Sequence, residues 1–211
     1  RKLSVHKEEK FLGLIELFRS SDVGYVNLEM LMHNFEHSPG SAGGTFTGSD
    51  PSNLAELAWS GINLVSTANN HSHDYGESGV LTNLKHLKTS ALTHAGTGQH
   101  LSQARSAGYL DTHNGRVALI AAASTFAESG RALNQRPDLK GRPGLNPQRF
   151  KTTYIVDKES FDQLRRANRL LGLEQKRDFQ RGFRSAGLIP KDTETEFSFL
   201  ENQFKVGDSF S

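Results

Sequence analysis

The sequence predicts an α/β protein with a parallel sheet and crossover helices. Three observations carry that prediction. Apolar runs of strand length alternate with amphipathic stretches of helical length as far as residue 125. Clusters rich in Gly, Ser, Asn and Pro separate them. Two of the strand-like runs end in dense polar clusters, and α/β sheets bind ligands beyond the carboxyl ends of their strands.

The elements follow in order. Residues 8–19, "EEKFLGLIELFR", put Phe11, Leu12, Ile15, Leu17 and Phe18 at roughly helical spacing. Residues 23–26 form a short strand. Residues 33–52, "HNFEHSPGSAGGTFTGSDPS", read as a loop. "PSNLAELAWSG" starts a helix with Ser52 or Asn53 near its N-cap, and Gly61 ends it. "INLVSTA", residues 62–68, is a buried strand. "ESGVLTNLKHLKTS" is a helix, "ALTHAGTG" a short strand with a glycine turn, and "QHLSQARSAG" another helix. "GYLDTHNGRVALIAAAS" reads as a hairpin turned at Asn114-Gly115. A polar connection with three prolines fills residues 128–149. Residues 160–181 form one charged helix. The last stretch, "IPKDTETEFSFLENQFKVGDSFS", is polar with scattered aromatics and reads as peripheral.

Composition narrows the function classes. The chain has 211 residues, enough for one domain with a substantial core. Its 25 basic and 23 acidic residues are interspersed, so no concentrated basic stripe marks a nucleic-acid binder. No window approaches the ~20 apolar residues of a membrane-spanning helix. Cysteine is absent, which excludes disulfides and thiolate metal sites. Nine histidines leave imidazole for other metal or proton chemistry.

The chemistry concentrates in two places. One is Asn27-Leu28-Glu29, after the first strand. The other is Asn69-Asn70-His71 with Asp74 one turn on, in "TANNHSHDYG". Neighbouring parallel strands bring such ends together. Carboxylate, amide oxygen and imidazole suit Mn, Mg, Zn or Fe. Each residue also has an ordinary reading. A strand-end Asn serves as turn former or cap, a lone Glu29 as a solvated surface group, and a lone His71 as a structural histidine. The ordered combination favours the functional reading.

Residues 22–149 resemble the capsule-synthesis CapA family, also described as poly-gamma-glutamate synthesis proteins. The stretches that carry the resemblance are "VNLE", "GINLVSTANNHSHDYGESGV", "HAGTGQHLSQA", "GRVALIAAAST" and "GRPGLNPQR". That family resembles the calcineurin-like metallophosphoesterases and the 5′-nucleotidases, which carry G-N-H-E-x-D-x-G in the equivalent place. The resemblance implies a four-layer αββα sandwich with a site for two divalent metal ions. It implies that Asn70 is an amide metal ligand, with Glu29 where a bridging aspartate usually stands and Asn27 and Asn69 as further candidates. It implies that His71 stabilises developing charge and that Asp74 orients it. His73 and Arg149 are candidates for touching substrate, Arg149 through its planar fork; an exposed structural arginine is an equal reading.

The expected activity is metal-dependent hydrolysis of a phosphoester or related bond, acting on an anionic polymer or a phosphorylated small molecule, with other capsule-synthesis proteins as partners and no nucleic acid. The alternative is a non-catalytic polymer-binding or export component. The family implies a cell-surface or membrane-associated setting. The sequence is expected to be a partial record of one longer domain, with residues 22–149 carrying the motifs and 151–211 a peripheral insertion. A Gly207-Asp208 pair is a weaker candidate for a late metal motif.

Overall fold

A computed structural model describes residues 2–184, 191–200 and 202–207. The chain divides into two compact units, residues 1–148 and 149–211, and each is described by itself. The architecture is mixed α/β, with six α-helices and several sheets among the described residues.

In the first unit, α1 (Glu9–Arg19) precedes β1 (Tyr25–Asn27), β2 (Leu31–Met32) and β3 (Gly48–Ser49). Then come α2 (Asn53–Trp59), β4 (Leu64–Ser66) and α3 (Gly76–Lys88). β5 (Thr93–Ala95), β6 (Thr97–Gly98) and α4 (Leu101–Arg105) follow. The hairpin β7 (Gly108–Thr112) and β8 (Gly115–Leu119) comes next, then β9 (Gly144–Leu145).

The central sheet has strand order β1-β4-β5 and is parallel throughout. Asn27 pairs with Ser66, and Ser66 with Ala95, so three carboxyl ends lie level. β4 is buried at all three positions, as expected of a parallel strand covered on both faces. Leu28, Met32, Leu54, Ile62, Val65, Leu87 and Leu92 form one core cluster. A second gathers small residues: Ala68, Ala95, Ala121 and Ala123 against Leu145. Gly96 sits where a Cβ would lie 2.7 Å from the Ala68 nitrogen, so the backbones approach too closely for any side chain.

Several details differ from the sequence prediction. The strand expected over 62–68 is regular only at Leu64–Ser66; Thr67 still donates its N–H to the Ala95 carbonyl of β5, and the residues after it build the polar turn. The hairpin register pairs Thr112 with Gly115, so His113-Asn114 form the turn, one residue earlier than expected. The Thr112 hydroxyl accepts the Asn114 amide and donates to the Gly115 carbonyl, which sets this register.

The second unit holds β10 (Thr153–Val156), α5 (Lys158–Leu170), α6 (Leu173–Arg184), β11 (Glu196–Phe199) and β12 (Asn202–Val206). The single helix expected over 160–181 is two helices. Gly172 takes φ +68°, a left-handed stop that separates them. The polar C-terminal stretch forms a three-stranded sheet of order β10-β12-β11. Phe161 and Phe197 pack edge to face at 4.9 Å in its core. Asp208 lies outside the described residues, so the Gly207-Asp208 candidate does too.

Candidate functional site

β4 ends at Ser66, and the chain then turns sharply through Thr67–Tyr75. Ser72 holds that turn. Its hydroxyl lies 2.7 Å from both the Thr67 and Asn69 carbonyls, and it accepts the Asn69 amide at 2.8 Å. The Asn69 side chain does the same from the other side. Its amide oxygen accepts the His71 N–H at 3.0 Å, and its NH2 donates to the Leu28 carbonyl at 3.0 Å. This turn is therefore tied to the end of β1 by side chains, not by a strand ladder.

Asn27 completes the tie. Its amide oxygen accepts from the Ser66 hydroxyl at 3.0 Å and from the Asn69 NH2 at 3.3 Å. Its own NH2 donates to the Glu29 carboxylate at 3.2 Å. Asn27, Glu29, Asn69 and His71 thus belong to one hydrogen-bonded network spanning two strand ends.

His71 and Asp74 meet directly. The His71 Nδ1 lies 2.9 Å from Asp74 Oδ2, and the two side chains are only 19% and 11% exposed. The same carboxylate oxygen accepts the Thr47 N–H at 2.7 Å and faces the Thr47 hydroxyl at 3.3 Å. An ionised Asp74 needs donors, so Nδ1 carries the proton and Nε2 is left as the working nitrogen. Thr47 reaches back as well, its hydroxyl donating to the Glu29 carbonyl at 2.9 Å. The Gly/Ser-rich loop docks beside it. Gly40 donates to the Asp74 carbonyl at 2.7 Å, and a Cβ there would stand 2.8 Å from the His73 carbonyl.

Asn70 is exposed and lines a cavity of about 190 Å³ together with His73 and Asp74. The His73 Nε2 is buried without a partner among the described residues. Burial, helped by the Arg142 charge, pushes its pKa below the ordinary histidine value; Glu77 and Asp74 oppose that shift. Arg149 is exposed and opens the second unit.

Thr47, Ser66 and Ser72 are functional neighbours that the sequence reading missed. Ser66 and Ser72 sit inside the motif and could have been suspected as turn formers. Thr47 carries no such signal, because it lies in a loop with no periodicity.

The donor set bears on metal binding. Asn27 and Asn69 already use their amide oxygens within the network. Glu29 spends one carboxylate oxygen on Asn27 and keeps the other for a further donor or a cation. No three His, Asp or Glu side chains stand close enough among the described residues to hold a metal ion. These donors do not make a complete two-ion centre.

Curated relatives include two uncharacterized proteins of Sinorhizobium fredii, y4sH and y4uA. Each is 33% identical over 160 residues, covering 74% of this chain and 35% of the relative. The chain therefore spans about a third of the length of the curated relatives it matches. The model of the family described as bacterial capsule synthesis protein PGA_cap matches residues 2–174, from the first helix through the parallel sheet and the N-N-H-x-x-D turn, and the chain belongs to that family.

Proposed function

We propose that this capsule-synthesis protein is a metal-dependent hydrolase acting on a phosphoester or a related bond. The observation that carries the reading is the His71–Asp74 pair, 2.9 Å apart at the end of a parallel strand and locked by Thr47. A partly buried carboxylate on Nδ1 fixes one tautomer, with Nε2 as the acceptor of the neutral ring; once the ring has taken up a proton there, the imidazolium would donate it to a leaving oxygen. Glu29 and Asn70 would supply part of the metal-binding set, and a bound divalent ion would polarise the attacked group. The remaining ligands would have to come from outside the described residues. Two sheets packed in a four-layer αββα sandwich would be the frame of such a site.

The substrate would be an anionic polymer or a phosphorylated small molecule, handled with other capsule-synthesis proteins. A cell-surface or membrane-associated setting fits the family. No helix among the described residues is long and apolar enough to cross a membrane. A second reading, a non-catalytic polymer-binding or export component, is favoured by the incomplete donor set.

Metal-supplemented phosphomonoesterase and phosphodiesterase assays on the full-length protein separate the two. The hydrolase reading expects turnover that depends on added Mn, Mg, Zn or Fe and on His71. Turnover equal in wild type and His71→Ala, at any metal, would leave the binding component.

A further inference from the structure

The cavity beside Asp74 is a ligand seat of a definite chemical kind. At about 190 Å³ it is smaller than the pockets that enclose whole drug-sized ligands, and matches a single ring. Phe46 and Phe126 supply apolar faces, and Phe46 leans on the Tyr75 ring with centroids 6.4 Å apart. The polar lining includes Asn70, His73, Ser129 and Asp74. An amide and a hydroxyl each belong to types that both donate and accept hydrogen bonds, as sugar hydroxyls do.

Charge excludes the opposite class. None of the residues lining this cavity is lysine or arginine, and Asp74 adds a negative charge. Arg142 is near, but its guanidinium is engaged by Glu77 at 2.8 Å. A phosphate or carboxylate buried here would be unpaired, which is costly.

We propose that this cavity seats an uncharged, polyhydroxylated ring, a hexose-like unit of the molecule whose neighbouring bond the His71–Asp74 pair addresses. The inference rests on the hydrolase reading for the word "neighbouring" only. The ring lies with its C–H face on Phe126 and its hydroxyls toward Ser129 and Asn70.

Calorimetric titration of the full-length protein tests it, with methyl glycosides of glucose, galactose and N-acetylglucosamine, the free sugars, and inorganic phosphate as probes. Methyl glycosides stand for a ring carried in a chain, and the free sugars for the isolated ring. At least one sugar is expected to bind saturably, and phosphate is not expected to displace it. Phe126→Ala should weaken that binding about three- to tenfold, and Ser129→Ala by about as much. Phe126→Leu, which keeps an apolar side chain, serves if the alanine variant fails to fold.

Failure of every sugar to bind, displacement by phosphate, or binding indifferent to both Phe126 and Ser129 overturns the proposal. Phosphoester turnover without sugar binding sinks the ring seat alone. Sugar binding that responds to Phe126, without turnover at any metal, sinks the hydrolase reading and keeps the seat.

Discussion

Two histidines beside the same turn are held in opposite ways. His71 meets a carboxylate, and its Nδ1 carries the proton. His33, fully buried, accepts the Phe35 amide on Nδ1 at 3.0 Å, so its proton sits on Nε2. The His33 ring packs 4.1 Å from the Tyr75 ring, and its Nε2 is enclosed without a partner among the described residues. One histidine keeps a nitrogen available at a strand end. The other spends both faces on packing. Residue type alone does not tell a reactive imidazole from a structural one; the identity of the group on Nδ1 does.

The largest expected effect comes from His71→Ala. Turnover should fall about 10²- to 10⁴-fold, the usual contribution of a proton-transfer group, while the melting temperature stays near wild type. A large melting loss with unchanged turnover would reverse the roles of the two histidines.

His33→Ala should do the opposite. Removing a fully buried ring should cost about 2–4 kcal/mol of stability, as other large-to-small core changes do. Denaturant unfolding measures it, and a loss below about 0.5 kcal/mol, typical of surface sites, would mean the ring is not part of the core.

Asp74→Asn should keep the fold and lower turnover about 10- to 100-fold, as loss of an orienting partner does. The amide can still accept from Thr47, so unfolding should shift little. A loss as deep as that of His71→Ala would make Asp74 more than a positioning group.

The smallest effect is a pH dependence. Burial lowers the pKa of His33 and of His94 below the ordinary histidine value. As pH falls through about 6.5, the unfolded chain takes up protons before the folded one does. The stability from these two groups is therefore present at neutral pH and above, and is lost in mild acid. Stability measured across this range should decline toward acid, with a shallower slope in His94→Gln.

Legibility in the sequence followed local chemistry. β4 announced itself because an apolar run ended abruptly in amides, and the His71–Asp74 spacing put both side chains on one turn. Membership of the family was readable from the same residues. Thr47 was not readable, because its bonds to Asp74 and Glu29 are tertiary and its loop has no repeating pattern. In the second unit, the alternation Glu196-Phe197-Ser198-Phe199 was a usable strand signal. It was masked by its partner, where polar Gln203 is buried. Gly172 likewise marked the break between α5 and α6, and the charge density around it hid the boundary.

The Thr47–Asp74 bond also gives the site an opening equilibrium that can be measured. It joins residues 27 apart in the chain. It secures the end of residues 33–47, a loop with no helix or strand of its own between β2 and β3. The amide hydrogen of Thr47 is then a natural probe. Its exchange with solvent deuterium reports opening of the carboxylate's surroundings without any substrate. Slow exchange in the resting protein marks an imidazole already oriented before anything binds, and fast exchange marks one that substrate must first set in place.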